Sequence, residues 1–156
     1  MMAIAVYAWS EAPELARVVV PWTPINGEMS AVSAAALLHA TAGLSGSGST
    51  GLGPAVADGA ALLSTCPWFA DRLILNVVGD GITNAGPSPA GARDAAVGRG
   101  VIINGLVVGG DPAVRAHFQE QVIGPQGVAF VEQAADYDEF AAAMLRKFVT
   151  EVAALH

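Results

Sequence analysis

The sequence has little charge, and little of that charge is positive. Of 156 residues only 13% are charged, and the basic ones are Arg17, Arg72, Arg93, Arg99, Arg115, Arg146 and Lys147. Against 14 acidic residues they leave a formal charge of −7. An acidic surface repels phosphate backbones, which argues against a nucleic-acid partner. It argues equally against an anionic membrane surface. Cysteine is almost missing. Cys66 stands alone, so neither an intrachain disulfide nor a cysteine-based metal cluster can form. Beside Pro67 and without a histidine close in sequence, it reads as a buried structural thiol rather than a nucleophile. Long apolar runs are missing too, and the opening MMAIAVYAWS has no basic segment before its short apolar stretch. The chain as given therefore reads as cytoplasmic, with no secretion signal.

What is present is apolar. The hydrophobic fraction is 53%, far above that of disordered chains, and the length suits one domain, 1–156. Residues 3–9 (AIAVYAW) and 16–22 (ARVVVPW) read as strands joined closely enough to form an antiparallel hairpin. Pro21 cannot donate to a ladder, which places the second strand at an edge. Helical spacing covers 28–42 and 51–65, the latter with Pro54 in its first turn. The runs 72–79 (RLILNVVG) and 101–109 (VIINGLVVG) have the composition of strands covered on both faces. Between them Pro89 opens a short helix that closes at Gly100. A helix over 111–123 has Asp111 as N-cap and Pro112 in its first position. A strand over 127–132 and a last amphipathic helix opening at Asp136 or Tyr137 complete the chain. Alternating buried strands and helices imply an α/β three-layer sandwich with a mainly parallel sheet and an edge hairpin.

Two loops carry candidate chemistry. GSGSTGLG, 46–53, contains G-x-G-x-x-G at Gly46, Gly48 and Gly51. A dinucleotide turn needs a strand directly before it and an acidic residue about 20 positions on. Here a helix precedes the loop, and TCPWFADR occupies the region downstream. A phosphate-cradling G-K-[ST] is missing as well, so a Gly/Ser connector between helices explains the pattern better. The second loop follows a buried strand in VVGDGITNAG. Asp80 there stands where open α/β sheets bind ligands, and its carboxylate suits a hard cation such as Mg²⁺. An Asp-Gly turn leaving the strand is the plain alternative. Thr50 and Asp80 together place a hydroxyl and a carboxylate across one crevice, part of an all-oxygen site. Ser49, Ser10 and Asn84 are candidates for its rim, although a turn explains Ser10 and a loop cap explains Asn84. His39, His117 and His156 lie far apart and read as solvated or capping residues. Trp9, Trp22 and Trp68 read as packing. Asp136 and Asp138 read as a helix cap.

The order of elements, together with GSTGLGPAV, LILNVVGDGITNAG, ARDAAVGRGVIINGLVVGG and VIGPQGVAFVEQAADYDEFAAAMLRKFVTEV, resembles the von Willebrand factor A-like domains. It is most similar to a bacterial branch still called a domain of unknown function. The resemblance implies a non-enzymatic, adhesion-type module with a metal-ion-dependent adhesion site, a protein partner and an exported, periplasmic full-length form. Thr50 and Asp80 match that site's threonine and aspartate. Its D-x-S-x-S motif matches nothing here, and the family's first strand and helix have no counterpart. That omission implies either a sheet split in two or a hairpin pressed against 72–79, with a free strand edge open to self-association. It also implies that a divalent cation binds weakly or not at all. The alternative function is a nucleotide-binding or small hydrolytic α/β enzyme using the 46–53 loop.

Overall fold

Strand β4 (Val101–Val108) carries side chains into two separate cores. Successive residues of a strand point to opposite faces. On one face Val101, Ile103 and Val107 join Leu52, Val56 and Ala60 of α2 (Leu52–Leu63), Ala96 of α3 (Pro89–Val97) and Val114 of α4 (Pro112–His117). On the other face Leu106 and Val108 join Ala134 of β5 (Val131–Ala134) and Ala143 of α5 (Phe140–Ala153). Each large apolar side chain fully buried this way contributes about 1.5–3 kcal/mol. The result is a sheet between two helical layers. The computed structural model describes residues 2–9, 16–40 and 49–153. Ser10, Glu11, Gly46, Gly48 and His156 lie outside them.

The central sheet is parallel, in the order β3 (Leu73–Gly79), β4, β5. Strands β1 (Met2–Ala8) and β2 (Arg17–Ile25) form a separate antiparallel hairpin. Of the two arrangements implied by the sequence, the split sheet is the one adopted. Pro21 lies in β2, whose pairing is with β1 alone among the described strands. The hairpin does not pair with β3 and is tied to α2 and the turn that follows it. Tyr7 donates to Asp58 Oδ2 at 2.9 Å, and Trp22 Nε1 donates to Thr65 Oγ1 at 3.0 Å. Helix α1 (Glu28–Ala40) follows β2.

Some sequence expectations shift, each for a local reason. β3 is mostly half-buried and not covered throughout, because among the described residues only one of its edges is paired. β5 begins at Val131, because the backbone first turns at Gly127, φ +81°, with Ala129 N–H donating to Pro125 O at 3.0 Å. α5 begins at Phe140, because Asp136 closes a turn by accepting from Glu139 N–H at 3.0 Å. The helix over 111–123 keeps its Asp111 cap, 2.8 Å from Ala113 N, but its last turn, Phe118–Val122, is π-helical. Cys66 is half-buried and free.

Polar side chains also enter the sheet. Asn76 and Asn104 are opposite one another in the β3–β4 register, facing α5. Asn104 Nδ2 donates to Glu151 Oε1 at 2.8 Å, and Asn76 Nδ2 donates to Glu151 Oε2 at 3.3 Å. Lys147, wholly buried, donates to Asn76 Oδ1 and Glu151 Oε1 and stands 4.9 Å from the Phe130 ring centre. Burial pulls the Lys147 ammonium below the ordinary lysine range, opposed by its bond to Glu151. Every buried polar side-chain atom among the described residues has a partner.

Candidate functional site

Thr50 is gripped by the loop that follows β3. Its N–H donates to Asn84 Oδ1 at 2.7 Å, and its carbonyl accepts from Asn84 N at 3.0 Å and Ala85 N at 3.3 Å. Two chain segments that share no secondary structure are thus paired like a short ladder. Asn84 therefore orients Thr50. Glycines let the segments approach. A Cβ on Gly53 would stand 2.3 Å from Pro87 O, and one on Gly81 would stand 3.1 Å from Thr50 Oγ1. The Thr50 hydroxyl thus lies against the residue that follows Asp80. Ser49, half-buried, precedes it.

Asp80 is exposed at the carboxyl end of β3. Its Oδ2 accepts from Tyr137 OH at 2.9 Å. That bond, reinforced by burial and by the carboxylate's charge, raises the Tyr137 phenol above its ordinary range. No local pattern marks Tyr137, because its partner lies 57 positions away.

His117 also has a distant partner. It is not a solvated histidine. Its Nε2 lies 3.0 Å from Thr83 Oγ1 and accepts from Thr83 N–H at 3.3 Å. An imidazole accepting a backbone N–H is neutral at that nitrogen. Burial lowers the His117 pKa from 6.5, with Glu120 acting the other way. Between the lowered value and 6.5 the unfolded chain binds more protons than the folded one. Stability from this group is therefore complete above 6.5 and is lost as pH falls through the folded value. Urea melts above and below pH 6.5 are expected to show this acid-side loss, and His117→Gln is expected to shrink it.

The pairing of Thr50 with the Asp80 loop brings a hydroxyl and a carboxylate to one end of the sheet. Those donors fit a hard cation in kind but are too few to hold one tightly, since magnesium needs six oxygens. Among the described residues no three His, Cys, Asp or Glu side chains gather into a metal site. None of the described helices is long and apolar enough to cross a membrane. Among the described residues the element before the 46–53 loop is α1, which ends at Ala40, and the one after it is α2.

A family model described as a protein of unknown function (DUF1194) matches residues 1–156. The chain belongs to the DUF1194 family. No curated protein matches this DUF1194 chain. Its fold is von Willebrand factor A-like. Proximal thread matrix protein 1 from the mussel byssus is similar in structure, with a TM-score of 0.64 and 12% identity over 90% of this chain. A second structure of that protein, with a zinc-occupied MIDAS motif, superposes with a TM-score of 0.62 and 18% identity over 91% of this chain. The DUF1194 chain spans about a third of the mussel protein, 33% in both comparisons.

Proposed function

We propose that this DUF1194 chain is a non-enzymatic protein-binding module that carries half of a metal-ion-dependent adhesion site, Thr50 and Asp80. The observation behind this is the grip of Asn84 on Thr50, which brings a hydroxyl to the loop that Asp80 opens. The zinc-occupied motif of the mussel matrix protein supports a divalent cation as the ligand. A carboxylate and a hydroxyl leave most of the coordination shell to water and to a partner's carboxylate, so the cation binds weakly here.

The split sheet supports the same reading. β1 and β3 each have an unpaired edge among the described residues, and both lie against α2. One further strand between them, as in the von Willebrand factor A-like domains that the sequence resembles, would unite the sheets. If parallel to β3, it would deliver its carboxyl end beside Thr50 and Asp80, where D-x-S-x-S belongs.

Calorimetric titration with Mg²⁺ or Mn²⁺ tests the site. The expected result is weak binding that Asp80→Ala abolishes and Thr50→Ala reduces. Sub-millimolar binding untouched by Asp80→Ala would remove the site from this loop.

A further inference from the structure

Tyr137 has an unusual position for an aromatic residue. The residue is 69% exposed, so packing does not hold it. The turn that carries it is closed without its side chain: Glu139 N–H donates to Asp136 Oδ1 at 3.0 Å, and Ala135 N–H donates to Glu139 Oε2 at 3.1 Å. The turn follows β5, which is separated from β3 by β4. From there the Tyr137 hydroxyl reaches Asp80 Oδ2 at 2.9 Å. Asp80 Oδ1 has no hydrogen-bond partner among the described residues.

We propose that Tyr137 is the positioning residue of the Asp80 site, fixing Oδ2 so that Oδ1 is presented to a divalent cation. A carboxylate on an exposed loop turns freely about its side-chain torsions. One hydrogen bond from a turn that is itself closed by two others restricts that freedom and leaves a single oxygen to coordinate. Carboxylates that ligate metals are commonly held by such an outer hydrogen bond, and its loss costs about 10–100-fold in affinity. A phenol serves better than a lysine or arginine here, because it donates without bringing a positive charge to the cation's position. The proposal rests on Asp80 being a ligand, and its test separates the two ideas.

The probe is Mn²⁺ added to the whole chain, with binding followed by water-proton relaxation. Wild type, Tyr137→Phe and Asp80→Ala are compared, with thermal melts of all three. Tyr137→Phe is expected to melt as wild type does and to bind Mn²⁺ about tenfold more weakly. In wild type, Mn²⁺ is expected to broaden the ring resonances of Tyr137 more than those of Tyr7, the other of the chain's 2 tyrosines. Binding abolished by Asp80→Ala but equal or tighter in Tyr137→Phe would overturn the positioning role while leaving the site intact. An unchanged affinity in Asp80→Ala, or no binding in wild type, would remove the site and the proposal together.

Discussion

Glu151→Ala is expected to destabilise the protein by about 3–5 kcal/mol, the cost of leaving a buried charge without its partner. Lys147 is 0% exposed and Glu151 is 8% exposed, so water cannot replace the lost carboxylate. The deletion also removes the acceptor for the side-chain amides of Asn76 and Asn104. Each orphaned donor adds about 1–3 kcal/mol, and collapse of the site or deprotonation of Lys147 offsets part of the sum. A double substitution, Lys147→Met with Glu151→Ala, is expected to be less destabilising than Glu151→Ala alone, since it removes the stranded charge. Urea denaturation of the single and double variants measures this. Additive losses would show that the two side chains do not act as a pair. The network joins α5 to β3 and β4, so Glu151→Ala is expected to loosen α5 first. Hydrogen exchange in 140–153 should then rise ahead of global unfolding.

Gly53→Ala is the second large expected effect, and its sign contradicts helix propensity. Gly53 lies in the first turn of α2, where alanine would ordinarily gain up to about 1 kcal/mol. An added Cβ would meet Pro87 O at 2.3 Å and Pro87 C at 3.2 Å, both backbone atoms that cannot rotate away. The segments must separate, at a cost of about 1–3 kcal/mol or more. Their separation would also strain the Asn84 grip on Thr50. Gly91→Ala is the control. Gly91 lies in α3 with nothing within 4 Å of its added Cβ, so alanine is expected to stabilise there by up to about 1 kcal/mol. Thermal melts of the two variants should move in opposite directions. A neutral Gly53→Ala would show that the α2 entrance and the 80–88 loop can part freely.

Much of the fold was legible in local pattern. The apolar runs of β3 and β4, the proline-led starts of α3 and α4, and the Asp111 cap all sit where composition and spacing put them. Boundaries were lost where a turn intervened, at Gly127 before β5 and at 136–139 before α5. The glycine pattern at 46–53 carried little information. Gly53 is there for its approach to Pro87, and Thr50 for its pairing with Asn84. A signal for the buried network did exist. Asn76 and Asn104 interrupt two apolar strands at positions pointing to the same side, and a buried amide requires a partner. Lys147 and Glu151, four apart on a helix, instead carry the signature of a solvent-exposed pair.

The sequence by itself determined the alternation of strands and helices, and with it the parallel sheet between helical layers, because hydrophobic periodicity is set by residues a few positions apart. Only the tertiary structure decided which polar groups meet. Asn84 pairs with a threonine 34 positions away, Tyr137 with an aspartate 57 away, and Asn76 with a glutamate 75 away. Contacts of that span depend on how the elements pack, and periodicity carries no record of them.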